Sequence, residues 1–251
     1  MKRIRLLGVA IDPITMEEAV RRALEIMDGR SGAVVVTPNS EYLMRAQKLP
    51  DLRDIANAAF LSLPDGVGVL AAARLLGQRI PMRVSGIDFA ESLLAAMARS
   101  GKSVYLLGAK PAVAARAAEI AIERFPGLII AGTHDGYFSC TDEPQLLREI
   151  NASSPDLLIV CLGSPRQELW MRSHAPELDV GMMAGLGGTL NVLSGSVRRA
   201  PLCWQRLGLE WLYRLLTQPW RFRRVLGASC ILLTALQIKI GGYFKPWAKE
   251  N

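Results

Sequence analysis

A phosphate loop is the first thing this chain lacks: no GxxxxGK(S/T) run occurs in its 251 residues, which removes Walker-type nucleotide sites. Nor does it contain Asp-x-Asp, the usual two-carboxylate grip on a metal–diphosphate complex. A diphosphate bound here would have to be neutralised by Arg, Lys and backbone N–H groups. Only two histidines are present, His134 and His174, at no spacing that could hold a metal. Neither a metal nor a cofactor is therefore expected. Gly185-Leu186-Gly187-Gly188-Thr189-Leu190 imitates a dinucleotide fingerprint, but Leu190 stands where the third glycine is needed. No acidic residue lies at the right distance beyond a second strand, so an NAD-dependent oxidoreductase is the weaker enzyme reading.

Long apolar runs are also missing. Leu6 to Ile11 is too short for the apolar region of a signal peptide. Val225 to Ile238 stays apolar for 14 residues before Lys239, short of the roughly 20 that a spanning helix requires. It reads as a membrane-surface helix or a core helix. The four cysteines (Cys140, Cys161, Cys203, Cys230) have no Cys-x-x-Cys spacing, which favours reduced thiols in a cytosolic protein.

Half of the residues are hydrophobic, enough to bury a sizeable core, and the length fits one α/β domain with an appendage. The charge divides the chain. From Arg198 onward there are ten basic and two acidic residues, so this segment is +8 and the rest is −1. All five tryptophans lie beyond residue 169. We read residues 1–197 as the catalytic domain and 198–251 as a basic, Trp-containing appendage suited to an anionic surface, either lipid headgroups or nucleic acid. Trp204, Leu207, Trp211 and Leu215 recur at three and four residues, as on one face of a helix, with arginines interleaved. That pattern suits headgroups better than a nucleic-acid-binding module.

Within the first 197 residues, short β-branched runs alternate with Ala-rich helical stretches. Strands are expected at 33–37, 103–107, 128–133, 157–162 and 180–186, with helices at 16–28, 112–125, 144–151 and 166–174 between them. Continuous apolar strands joined by helices predict a Rossmann-like α/β fold, a parallel sheet with helices on both faces. Each strand ends in a polar or glycine-bearing loop: Thr37-Pro38-Asn39, Gly108, Asp135-Gly136, Gly163 to Gln167, and Gly185 to Thr189. Ligands of open α/β sheets bind outside the carboxyl ends of the strands, so these loops should share a crevice.

Taken singly, the candidate residues have ordinary explanations. Thr37, Asn39 and Ser40 read as helix caps, Asp65 in Pro64-Asp65-Gly66 as a turn carboxylate, and Arg83 between apolar neighbours as a paired arginine. The uncharged stretch Val67 to Leu76 behind Asp65 would partly desolvate that carboxylate, as a general base requires. Taken in order, the motifs are specific: Thr37-Pro38-Asn39, Leu63 to Gly68, Arg83 to Asp88, Gly163 to Glu168, Arg199-Ala200-Pro201 and Gly208 to Leu215. This series closely resembles the WecG/TagA/CpsF glycosyltransferases (glycosyltransferase family 26) from about Ile4 to Arg224.

The resemblance implies an inverting, metal-independent enzyme of bacterial surface polysaccharide synthesis. It would move N-acetylmannosamine, N-acetylmannosaminuronic acid or glucose from a UDP-sugar to an undecaprenyl-diphosphate-linked saccharide. Asp65 would take the acceptor proton, Thr37 and Asn39 would line the donor pocket, Arg83 would meet the diphosphate and Gln167 would hold sugar or phosphates. Gly66, Gly108, Asp135, Gly136, Gly163, Arg166, Glu168, Gly187 and Asn191 complete the expected substrate-binding set; at Asn191 family members often carry Asp. Arg206, Arg214, Arg221 and Arg224 would meet lipid or diphosphate at the cytoplasmic face of the inner membrane, where the enzyme would sit peripherally, and self-association is also implied.

Overall fold

The structure, a computed structural model, describes residues 2–217 and 222–241, excluding the side chains at 206, 214, 222–229 and 241. The chain opens with a hairpin, β1 (Ile4–Leu6) and β2 (Val9–Ile11), in which Leu6, Val9, Ala10 and Ile11 are buried. The short run after the basic N-terminus is therefore core. Its polar edge is satisfied by Asn57, which accepts from the Ala10 N–H at 2.7 Å and donates to the Gly8 carbonyl at 3.2 Å.

After α1 (Met16–Met27) come β3 (Ala33–Val36), α2 (Ser40–Ala46), α3 (Pro50–Ala58), β4 (Leu61–Ser62), α4 (Val67–Leu75) and α5 (Gly86–Ser100). Then β5 (Ser103–Gly108), α6 (Val113–Arg124), β6 (Ile129–His134), α7 (Glu143–Ser153), β7 (Leu157–Cys161), α8 (Arg166–His174), β8 (Met182–Gly185) and α9 (Thr189–Leu193) alternate. The strands from β3 onward form one all-parallel sheet in the order β4-β3-β8-β7-β5-β6. The Rossmann-like expectation holds, and each of the five expected strands is present. The two-residue β4 carries too little pattern to be read in advance.

Period-two burial divides the sheet between two cores. Tyr105, Leu107, Leu158, Val160 and Met183 face one side, packed by α2, α3, α4, α7 and α8. Val104, Leu106, Leu157, Ile159 and Met182 face the other, packed by α1, α5, α6 and α9. Cys161 lies in this second core, where burial pushes its thiol up to about 12; Cys140, Cys203 and Cys230 are exposed.

Three helices follow: α10 (Leu202–Arg206), α11 (Glu210–Thr217) and α12 (Phe222–Gly241). The single amphipathic face expected over Trp204 to Leu215 is broken, because the chain turns at Leu207-Gly208 between α10 and α11. Gly208 adopts φ +71°, and a Cβ there would come within 2.7 Å of the Val67 side chain. Trp204 still meets Tyr213 edge-on across the turn, with ring centroids 5.8 Å apart.

The longer helix α12 packs on α2 and α4. Ile231 and Ala235 enter the first core, while Leu232, Leu233, Leu236 and Ile240 remain exposed. No helix among the described residues is long and apolar enough to cross a membrane. Of the two readings of 225–238, the core helix is realised on one face. Ile231 is 1% exposed and Leu233 63%. Ile231→Ala should therefore lower unfolding free energy by about 2–5 kcal/mol and Leu233→Ala by less than about 0.5 kcal/mol, compared by urea denaturation; equal effects would mean that α12 is not built into the core.

Candidate active site

Backbone hydrogen bonds continue past the strand ends and fix the rim. Val36 O accepts from Leu63 N at 2.9 Å, Pro38 O from Asp65 N at 3.1 Å, and Pro64 O from Val84 N at 2.9 Å. The three segments carrying Thr37, Asp65 and Arg83 are thereby laced side by side. Thr37 Oγ1 donates to Gly185 O at 3.1 Å, which ties this lobe to the loop after β8. Asn39 caps α2, its Oδ1 accepting from Tyr42 N at 2.9 Å, so the ordinary capping explanation is realised. Capping consumes only the carbonyl oxygen and retains the two amide donors for other use. Gly66 faces it, with a Cβ at that position falling 3.9 Å from Asn39 Cβ.

Arg83 is paired, as its apolar setting required. Its guanidinium lies 3.6 Å from Asp88 and 3.6 Å from Glu210, which α11 brings to the rim. Asp88 also takes the hydroxyl of Ser85 at 2.5 Å and the guanidinium of Arg199 at 2.5 Å. Burial alone would raise the Asp88 pKa, but the hydrogen bonds from Ser85 and Arg199 and the charges of Arg199 and Arg83 outweigh it. The group is held below the usual carboxylate range. These partners stood in the quoted motifs, yet nothing in the spacing of residues 83, 88, 199 and 210 told that they meet.

A second lobe lies at the ends of β5, β6 and β7. The chain runs outward to β6 after β5 and back to β8 after β7, so the two exit loops diverge there, as at a topological switch point. Gly108 is required by contact: a Cβ would sit 2.5 Å from the Cys161 carbonyl, and φ is +126°. Gly136 N donates to Ala109 O at 2.9 Å, and Asp135 accepts from Tyr137 N at 2.7 Å. Arg166 donates to Gly136 O at 3.1 Å and stacks over Phe138, which braces this loop. His134, Phe138, Trp170 and His174 form a chain of ring contacts beside it.

From β4 to β5 there are four strand spacings, roughly 19 Å at about 4.8 Å each. The two lobes therefore stand apart along the carboxyl-end rim of the sheet, and the loop after β8 lies between them. Gly163 and Gly187 have open space where a side chain would stand. Gln167 and Glu168 lie beneath this loop. Gln167 is buried; its Oε1 accepts from Gly187 N at 3.0 Å and its Nε2 donates to Glu168 at 2.8 Å. Asn191 is half-buried in α9, its carbonyl accepting from Val197 N at 2.8 Å. The side chains of Arg206, Arg214 and Arg224, and Arg221 entirely, lie outside the described residues. Among the described residues no group of three or more His, Cys, Asp or Glu could hold a metal ion.

A model of the glycosyl transferase WecG/TagA/CpsF family matches residues 4–244, nearly all of this chain and every segment of the rim. The chain belongs to the WecG/TagA/CpsF glycosyltransferase family. It is similar to an N-acetylglucosaminyldiphosphoundecaprenol N-acetyl-beta-D-mannosaminyltransferase of Bacillus spizizenii, 38% identical over 200 residues, covering 80% of this chain and 77% of that protein. A protein of the same name in Bacillus subtilis is 36% identical over 211 residues, covering 84% and 82% respectively. As in any WecG/TagA/CpsF member, the work of the fold is sugar transfer.

Glu168 shows how tightly the loop is underpinned. It is 1% exposed, its Oε2 has no hydrogen-bond partner, and burial raises its pKa despite the hydrogen bond from Gln167. A carboxyl whose pKa is raised by folding destabilises the native state once pH exceeds the unfolded value, and no longer does so below it. Glu168→Gln should therefore increase thermal stability at neutral pH, with the gain shrinking toward zero as pH falls below about 4.3; a pH-independent difference in melting temperature would contradict this.

Proposed function

We propose that the chain transfers an N-acetylmannosaminyl group from its UDP-activated form to an N-acetylglucosaminyl-diphospho-undecaprenol acceptor, with inversion and without a metal. The observation that carries this reading is the lacing of Thr37, Asp65 and Arg83 into one lobe beside an open glycine loop, in a family of glycosyltransferases. The sugar and the acceptor follow from the names of the two Bacillus relatives.

In this reading Asp65 takes the proton from the acceptor hydroxyl as that oxygen attacks the anomeric carbon from the face opposite the diphosphate. The bond from the anomeric carbon to the diphosphate oxygen breaks, and its electron pair leaves with UDP. Arg83 meets the charge that develops there, already fixed in place before the reaction. Thr37 and Asn39 line the donor pocket. Gln167 acts one step back, holding the Gly187 amide so that the glycine loop keeps its shape. Gly108, Asp135, Gly136, Gly163 and Asn191 receive the nucleotide end. Cations take the role of a metal here, in keeping with a sequence that has no Asp-x-Asp.

The acceptor's lipid tail asks for a membrane, and we assign docking at the cytoplasmic face of the bacterial inner membrane to the C-terminal segment. What supports this is the set of exposed apolar side chains on α10 and α11, with Leu202, Leu207 and Leu216 each more than 60% exposed and Trp211 nearby. The arginines interleaved with them add on the order of 1 kcal/mol each near an anionic leaflet. Because α12 supplies core residues, removing everything after residue 197 would open the core as well as the docking face. A surface substitution is the cleaner probe: Leu207→Ser with Leu216→Ser should reduce co-sedimentation with phosphatidylglycerol vesicles severalfold while melting temperature stays unchanged. Undiminished sedimentation would refute docking by this face.

The reaction itself is tested with UDP-N-acetylmannosamine and a short-chain lipid-diphosphate N-acetylglucosamine acceptor. Asp65→Asn should reduce transfer by about 10²–10⁴-fold with UDP binding retained, since that is the range general-base removal commands. Transfer should persist in excess EDTA. Full turnover by the variant would remove Asp65 from the mechanism, and arrest by chelation would remove the metal-free reading.

A further inference from the structure

Asp88 is a charged group at the rim to which the mechanism above gives no task. It lies in the first turn of α5, where Ser85 fixes it twice: Ser85 Oγ accepts from the Asp88 amide at 3.2 Å and donates to Asp88 Oδ2 at 2.5 Å. Its two carboxylate oxygens then face two guanidiniums from distant parts of the chain. Oδ1 takes Arg199 Nη2 at 2.5 Å, and Oδ2 stands 3.6 Å from Arg83 Nη2.

The two arginines are held in different ways. The contacts of Arg83 to Asp88 and Glu210 are both 3.6 Å, beyond hydrogen-bond range, so these carboxylates orient the guanidinium by charge without consuming its N–H donors. Arg199 is gripped tightly at one nitrogen, while its Nε lies buried with no hydrogen-bond partner, a donor that normally finds an acceptor. Two cations sharing one carboxylate would repel and separate without it. With it, two forks stand together, and a guanidinium fork matches phosphate oxygens in pairs.

We propose that Asp88 is a positioning residue that holds Arg83 and Arg199 side by side as a two-guanidinium receptor for the leaving diphosphate, Arg199 sharing that contact with Arg83. The assignment rests on the reading of Arg83 as the cation that meets the diphosphate, and extends it to a residue brought in from the segment after α9. The lowered pKa of Asp88 fits, since the carboxylate stays charged wherever the enzyme would work.

The test separates the diphosphate from the nucleoside by titrating UDP and uridine into the full chain by calorimetry. Arg83→Ala, Arg199→Ala and Asp88→Asn should each weaken UDP by about 10- to 100-fold, the range for a hydrogen bond to a charged group. Uridine affinity should stay within about twofold, because the nucleoside carries no group for the receptor. Arg83→Ala combined with Asp88→Asn should be little worse than Arg83→Ala and Arg199→Ala combined, as expected when Asp88 acts through the arginines. Arg199→Lys and Asp88→Glu preserve charge and serve where the harsher variants fail to fold, with Arg199→Lys expected to lose part of the UDP affinity. If Arg83→Ala leaves UDP binding intact, the donor reading fails and this receptor with it. If Arg83→Ala weakens UDP while Arg199→Ala or Asp88→Asn does not, or if Asp88→Asn weakens uridine equally, only the receptor is overturned.

Discussion

The rim of this enzyme depends on a backbone ladder that does not stop where β3 and β4 stop. Val36, Pro38 and Pro64 carbonyls successively accept the amides of Leu63, Asp65 and Val84, so the chain beyond each strand remains in register with its neighbour. Prolines at 38 and 64 have no N–H to donate, but their carbonyls are free to accept, and both do. The carboxylate and the guanidinium of the proposed mechanism are thus carried on segments whose relative positions are set by hydrogen bonds, whatever their own side chains do. Preorganisation of this kind is what allows cations to stabilise a developing charge without reorganising.

A second dependence runs through the C-terminal segment. Glu210 at the start of α11 faces Arg83, Gly208 packs against Val67 beside the Asp65 turn, and Ile231 of α12 enters the core under α2 and α4. The same segment turns Leu202, Leu207 and Leu216 outward. One stretch of chain therefore flanks the lobe that carries Arg83 on one side and exposes apolar side chains on the other. In the proposed reading, that arrangement puts the site next to the membrane from which a lipid-linked acceptor would come.

In the proposed reading, the loops at the strand ends receive a nucleotide sugar without a phosphate loop. The glycine lobe lies where the exit loops of β5 and β7 diverge, and Gly108 lets β5 approach the Cys161 carbonyl closely enough to leave no room for a side chain. The charged lobe lies roughly 19 Å away at β3 and β4. Between them the Gly187 loop rests on the amide of Gln167, which in turn rests on a buried Glu168. Burying a carboxyl with one oxygen unpartnered is costly, and such costs are commonly carried near functional sites, where geometry outranks stability.

Period-two and helical apolar patterns determined the class of fold, its five main strands and the ends at which a ligand would bind, because each strand buried on both faces writes itself as a continuous apolar run. Motif order also determined the family. Three things needed the folded chain. The hairpin at the N-terminus and the two-residue β4 are too short to carry a periodic signal, and they are held by side chains such as Asn57 from elsewhere. Residues 83, 88, 199 and 210 meet only because α5, the segment after α9 and α11 converge on one edge, and no spacing along the chain encodes that. That Gln167 holds the Gly187 amide, and that one face of α12 enters the core, was likewise decided by packing: a sequence specifies which residues are polar or apolar, but which neighbour satisfies them is a property of the three-dimensional arrangement.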